Sequence, residues 1–360
     1  MFNKTFELSL TKNYVAHWSM PHAIRELIQN AIDSDSPFIY EWIKEEDTVA
    51  LRLNSEFTVL QPQTLLLGST TKAEATDKIG SFGEGYKIAL LVLTREGYGV
   101  EMRNGDKLWK PRFKFSRLFN EEQLVVDEEP LTMKNKGLTF IVHGIDASGQ
   151  EAIEQSCLMM QNNIGRIRQT KYGEILFDRE KKLYVGGLYI CDIDLKYGYN
   201  IKPEYITLER DRQSVSSWDL KDISLKMWFD IDEPATVAEM IDNQLPDVEY
   251  ARYDCPEIVK EACYQLFRER NPGAIVAENQ SELKSLVARG MEKVVVVGSA
   301  MYHAVSTSKS YRSGVPERKL VVMPRARMAI WLADNRSEMR SKSIIAFKKL
   351  MEEATNWRSH

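Results

Sequence analysis

From Gly68 to Gly85 the chain is rich in Gly, Ser, Thr and Lys. It then runs straight into an apolar stretch, Tyr86-Lys87-Ile88-Ala89-Leu90-Leu91-Val92-Leu93. That run predicts an apolar helix from Tyr86 to about Thr94. Gly80, Gly83 and Gly85 stand just before it, so the backbone there can approach a ligand closely and aim amide N–H groups at an anion. The spacing is GxxGxG, the reverse of the dinucleotide pattern GxGxxG, and no Walker Gly-Lys-Ser/Thr is present. A Gly-rich turn by itself is ordinary turn chemistry.

The neighbouring patterns predict an α+β domain, a mixed sheet with helices gathered on one face. Thr5–Leu10 alternates like an edge strand. Ser19 and Pro21 open a helix that runs to Ile32 and is ended by Asp35-Ser36-Pro37. Strands are expected at Thr48–Leu53, near Phe57–Leu60, within Val100–Phe115, at Leu138–Gly144 and at Leu183–Asp194. A helix is expected over Glu151–Ile167. After Tyr205 the signals weaken into an acidic, irregular stretch, Asp230–Asp254. Beyond Pro256, helix (Pro256–Arg268), strand (Ala274–Ala277), helix (Ser281–Arg289), strands (Val294–Val297, Leu320–Met323) and helix (Ser337–Thr355) alternate as a small α/β module. The expected division is 1–200, a connecting segment 201–254, and 255–360.

Composition narrows the function classes. Of the 360 residues, 28% are charged and 43% hydrophobic, which excludes a collagen-like, disulfide-scaffold or wholly disordered chain. No apolar run approaches a membrane span. The first residues lack a signal-peptide pattern, and four scattered cysteines form no CxxC pair, so a reduced, cytoplasmic setting is expected. The five histidines show no HExxH spacing, which argues against a metalloprotease. The net charge of −4 is uneven: 309–360 holds 12 Lys and Arg against 5 Asp and Glu. A solvated tail explains that surplus, as does a surface that meets an anionic partner.

A second motif is Arg25-Glu26-Leu27-Ile28-Gln29-Asn30-Ala31-Ile32-Asp33. Glu26, Asn30 and Asp33 share one helical face, with Ile24, Leu27, Ile28, Ala31 and Ile32 opposite. Alone this reads as an amphipathic helix with a solvated polar side. Taken with Ile79-Gly80-Ser81-Phe82-Gly83-Glu84-Gly85-Tyr86, however, the chain resembles the GHKL (Bergerat-fold) ATPases: gyrase B subunits, ninety-kilodalton heat-shock chaperones, histidine kinases and MutL. Their helix pattern E-x-x-x-N-A-x-D is matched by Glu26, Asn30, Ala31 and Asp33. Their IGxFGxGF pattern is matched at Ile79, Gly80, Phe82, Gly83 and Gly85, with Tyr86 in place of Phe. A late Gly-Thr strand motif is approximated by Gly137-Leu138-Thr139, with one residue inserted. The resemblance covers roughly residues 1–200, and the region from Leu65 to Leu93 also looks like phage-encoded ATP-binding members of the superfamily.

The resemblance implies a Bergerat-type sandwich that binds ATP with Mg²⁺. In it Glu26 serves as the base for the attacking water, and Asn30 offers an oxygen to the metal. Asp33 helps on the adenine side or holds the helix end, Gly80, Phe82, Gly83 and Gly85 form the phosphate cradle, and Lys72 contacts phosphate. Thr139 forms the pocket floor. The family's D-x-G-x-G is missing; the corresponding stretch, Leu53–Thr58, leaves base recognition to Asn54, with Glu56 second. The cation completing hydrolysis comes from Arg210 or Arg212, or from the gyrase-like Gln169-Thr170-Lys171. Lys87 reads equally as a solvated lysine. The implied function is slow ATP hydrolysis that switches a lid or a nucleotide-dependent homodimer, with Phe2–Leu10 as the exchanged strand and a protein or DNA partner. The alternative is a nucleotide-binding regulator with little or no hydrolysis.

Overall fold

A computed structural model describes residues 4–34, 36–66, 85–208 and 214–314, and from the C-terminal stretch 328, 331–333, 335–336 and 339–353. By compactness the chain divides into two units, 1–309 and 310–360. The helices and strands between Glu257 and Thr307 therefore belong to the same unit as the N-terminal sheet.

That sheet has seven strands: β1 (Lys4–Thr11), β2 (Ile39–Lys44), β3 (Val49–Ser55), β4 (Gly99–Asn104), β5 (Lys107–Ser116), β6 (Glu121–Pro130) and β7 (Leu138–Ile145). Their order is β1-β6-β5-β4-β7-β3-β2, and every neighbouring pair is antiparallel. The mixed sheet expected from the sequence is corrected here. β2–β3, β4–β5 and β5–β6 are short-loop hairpins, which force neighbours to run opposite ways.

Three helices accompany the sheet: α1 (Met20–Ile32), α2 (Gly85–Arg95) and α3 (Ala147–Ser156). Ser19 caps α1 with Pro21 in its first turn, and His22 Nδ1 completes the cap by accepting from the Ser19 amide at 3.2 Å. One face of the sheet and these helices share a single core. It contains Leu51 and Leu53 of β3, Met102 of β4, Leu138, Phe140 and Val142 of β7, Ile24, Leu27 and Ile28 of α1, and Leu90 to Leu93 of α2. Side chains alternate along a strand, so the other face carries Glu41, Arg52, Glu101, Arg103, Arg112 and Asp127, linked by ion pairs across strands, such as Arg112–Asp127 at 2.6 Å, and along β4, Arg103–Glu101. One dry face and one wet face are what an antiparallel sheet with helices on one side requires.

The short strand expected near Phe57–Leu60 is not one. The Asn104 side chain takes the place of a partner strand, accepting from the Leu60 amide at 2.9 Å and donating to the Leu60 carbonyl at 2.8 Å. The helix expected over Glu151–Ile167 starts and stops earlier, with Asp146 as its N-cap, and is followed by a 3₁₀ turn at Leu158–Met160.

A second sheet follows, ordered β11 (Leu188–Asp192), β10 (Lys182–Val185), β12 (Gly198–Ile201), β9 (Gly173–Leu176) and β8 (Ile167–Thr170). Only β10–β12 is parallel. Where the signals weaken after Tyr205, α4 (Ser217–Asp230) forms, and the stretch expected to be irregular, Asp230–Asp254, is largely helical: α5 (Pro234–Asp242) and a 3₁₀ segment at Pro246–Arg252. Pro234 opens α5, and Val237, Ala238, Met240 and Ile241 give it a buried face within otherwise polar sequence. Buried Asp247 ties this layer to β12, accepting from the Lys196 amide at 2.7 Å and from the Tyr199 hydroxyl at 2.5 Å. Then come α6 (Glu257–Arg270), β13 (Ile275–Ala277), α7 (Gln280–Ala288), β14 (Val294–Val296) and α8 (Ser299–Thr307), with β13 and β14 parallel. In 310–360 the helix Ser341–Glu353 is described, with the Phe347 ring 5.2 Å from Trp331. No helix among the described residues is long and apolar enough to cross a membrane.

Candidate functional site

α1 and α2 lie against each other on the dry face of the sheet. The polar side of α1 is not solvated. Glu26 is 0% exposed and Asp33 5%, and Arg25 and Gln29 are buried as well. A carboxylate enclosed in this way needs compensation, and Arg25 supplies part of it, its Nη2 lying 3.4 Å from Glu26 Oε1. Consecutive helical residues do not normally face one another, so this pairing gave no signal in the sequence pattern.

Asn30 sits one turn beyond Glu26 and is only partly buried. Its Nδ2 donates to the Glu26 carbonyl at 2.7 Å, which leaves Oδ1 as the accepting atom. A neutral oxygen in that position fits a hard divalent cation whose remaining ligands are phosphate oxygens and water. Among the described residues no group of three or more His, Cys, Asp or Glu is placed to hold a metal.

At the start of α2, Gly85, Tyr86 and Lys87 are all buried. The Tyr86 hydroxyl donates to the Thr64 carbonyl at 2.6 Å and packs its ring near Phe140. Burial pushes its hydroxyl pKa up to about 12. Lys87 is 0% exposed and donates through Nζ to the Leu66 carbonyl, so the solvated reading of this lysine does not hold. Nearby, the Phe57 amide donates to Ser36 Oγ at 3.0 Å, joining the chain after β3 to the chain after α1.

Asn54 and Thr139 are close to each other but not to this arrangement. They are cross-strand partners on β3 and β7, with Thr139 Oγ1 donating to Asn54 Oδ1 at 2.7 Å. Leu53 and Phe140 face the helices, so their neighbours Asn54 and Thr139 face the other way, alongside Arg103 and Arg52. The helix-facing residue at the end of β3 is Ser55, which is buried. The period-two alternation of the strands turns both away from Glu26 and Asn30.

Gln169, Thr170 and Lys171 form the β8–β9 hairpin, where the Lys171 amide donates to Asp230 Oδ2 at 2.8 Å and Gln169 donates to Glu174 at 2.7 Å. Lys72, Gly80, Phe82, Gly83, Arg210 and Arg212 lie outside the described residues. So do Glu84 and the run Ser69-Thr70-Thr71.

The two packed helices thus carry a buried carboxylate with its arginine and an amide oxygen one turn away on α1, and a buried lysine at the start of α2. Arg25 and Lys87 are the residues that sequence reasoning undervalued. Lys87 carried a signal, since a lysine inside an otherwise apolar helix start has to be tied to something. Comparison with known proteins adds little chemistry. No family model matches the chain. It is 25% identical over 228 residues, 59% of this chain and 91% of the other, to an uncharacterized protein of Mycoplasma pneumoniae (strain ATCC 29342 / M129 / Subtype 1).

Proposed function

We propose that this chain binds a nucleoside triphosphate, ATP first among them, against α1 and α2, and hydrolyses it slowly in the manner of the GHKL ATPases it resembles. The observation that carries the reading is the full burial of Glu26 on α1, the helix that packs against α2, which begins where the glycine motif ends. Burying a carboxylate is costly even beside an arginine, and a site that carries chemistry is one place where that cost is met. In the reaction, water attacks the γ-phosphorus and Glu26 takes its proton. The bond from that phosphorus to the β–γ bridging oxygen breaks, and ADP leaves with the electron pair. Asn30 Oδ1 is the protein atom that would hold Mg²⁺, which supplies charge neutralisation on the phosphates when bound.

A second reading keeps nucleotide binding and drops hydrolysis. It is favoured by the Arg25–Glu26 pair, because Glu26 Oε1 is already engaged by a guanidinium. Phosphate release by the wild type beside Glu26→Ala separates the two. Turnover that falls at least about a hundredfold in the variant, with binding retained, supports the ATPase. Traces that coincide at background leave only the binder. β1 is an edge strand of the seven-stranded sheet, which is compatible with a nucleotide-dependent homodimer, and the surplus of basic residues in 309–360 is compatible with an anionic protein surface or DNA as partner. A cytoplasmic setting belongs to the same proposal.

A further inference from the structure

A buried polar side chain that bonds nothing costs stability unless water or a ligand satisfies it. Asn104, Thr139, Ser224 and Asp247 are buried and each is hydrogen-bonded. Gln29 and Ser55 differ. At 3% and 7% exposure they too are buried, yet among the described residues neither side chain has a hydrogen bond. Both belong to the candidate site. Gln29 follows Glu26 by three residues and precedes Asp33 by four, so helical spacing puts it on the face that carries both. Ser55 ends β3 on the side that faces the helices, and α1 packs against β3. The Ser36–Phe57 hydrogen bond ties the chain after α1 to the chain after β3. Ser55 therefore lies by the same end of α1 as Gln29 and Asp33, with Glu26 further back along the helix.

We infer that Gln29 and Ser55 contact the base of the bound nucleotide, with Gln29 reading its hydrogen-bonding edge. The inference rests on the nucleotide reading above. The chemistry of the two groups separates base from phosphate. A carboxamide offers donors and an acceptor side by side in one plane, and a hydroxyl both donates and accepts. Phosphate oxygens only accept, so they would leave Gln29 Oε1 unmatched and would gain no opposite charge from either residue. The edge of a base carries donors beside acceptors, a pattern that a glutamine amide pairs with through two hydrogen bonds. Both side chains are neutral, so holding them buried in wait for a ligand costs far less than holding a charge there.

The test is Gln29→Met, with binding of a non-hydrolysable ATP analogue and of inorganic tripolyphosphate measured by calorimetry, and stability by urea denaturation, all beside the wild type. The variant is expected to be at least as stable as the wild type, because an apolar side chain of similar length replaces an unsatisfied amide. Its affinity for the analogue should be lower by about tenfold, the scale of one or two lost hydrogen bonds, and its affinity for tripolyphosphate should stay within about twofold. Ser55→Ala should lower analogue affinity by a smaller factor. Unchanged analogue affinity in a folded Gln29→Met overturns the assignment. So does an equal loss for tripolyphosphate, which would put Gln29 at the phosphates. Stability and affinity falling together would mean that the amide serves the fold, and overturns it as well. Should Gln29→Met not fold, Ser55→Ala decides: it removes a single oxygen, and unchanged affinity there overturns the contact. Absence of any binding by the wild type would remove the nucleotide reading itself, a result distinct from wild-type binding that both variants leave intact.

Discussion

Asn135 reaches Thr139 from the loop before β7 at 3.1 Å, and Thr139 reaches Asn54 across β3 at 2.7 Å. These three side chains thus form one run, with Thr139 at its centre. Its work is to fix the β3–β7 register and the loop that leads into it. Asn54→Ala is therefore expected to leave affinity for an ATP analogue within about twofold and to cost about 1 kcal/mol of stability, the usual worth of one partly buried hydrogen bond. Titration calorimetry and urea denaturation of that variant check the two halves separately. A tenfold loss of affinity would put Asn54 back at the nucleotide. At this scale the sequence was readable only in part. Glu26 and Asn30 stood out because helical spacing places them on one face, and α1 spans the residues that Ser19 and Pro21 predicted. Asn54 and Thr139 were assigned from position along a motif, and a single residue of insertion between Gly137 and Thr139 is enough to turn a strand side chain through the sheet.

Elements marked by strong local chemistry were legible, and those stabilised by distant partners were not. α6, β13, α7 and β14 lie within a few residues of the spans read from apolar periodicity and flanking polar residues. α4 and α5 were hidden, because acidic residues interrupt their apolar ones and their partners, β9, α6 and the 3₁₀ segment, are remote in sequence or weakly patterned themselves. Sheet direction was likewise a matter of connections rather than of strand composition. One glycine shows how strictly such an element is set. Gly137 has φ +72, and a Cβ placed on it would lie 2.1 Å from the Ser55 carbonyl oxygen and 2.5 Å from that of Glu56. No L side chain fits there without moving two backbones where β3 and β7 meet. Gly137→Ala is expected to cost about 3 kcal/mol or more, read as a lowered urea midpoint, whereas Gly97→Ala, also at positive φ (+88) but with open space around it, should cost about 1 kcal/mol. Equal losses at the two positions would mean that backbone conformation, and not the close approach, sets the requirement at Gly137.

Across the whole molecule the shifted acids set a window of pH. On the wet faces of the sheets, carboxylates are held below their ordinary values by donors: Asp127 by Arg112, Glu45 by His143, and Asp192 by Lys182. A lowered pKa in the folded state means stability that is present above the unfolded value, about 4, and is lost as pH falls through the folded value. These groups are mostly exposed, so each counts for little and the acid limb is gradual and weakened by salt. In the interior the shifts run the other way. Burial pushes the thiols of Cys157 and Cys255 up to about 11 and about 12, Tyr86 likewise to about 12, and Tyr199, beside Asp247, well above its usual value. For these acids the unfolded chain gives up its protons first, from about pH 8.5 for thiols and about 10 for phenols, so stability falls as pH rises past those values. The alkaline limb should be the steeper of the two, because it titrates groups with no access to water. Urea midpoints are expected to be flat between about pH 5 and 8, to fall gently below 4 and to fall sharply above 9. A midpoint that held constant from pH 8 to 10.5 would mean that the folded interior already admits water at these positions, since only then would folded and unfolded chains lose the same protons together.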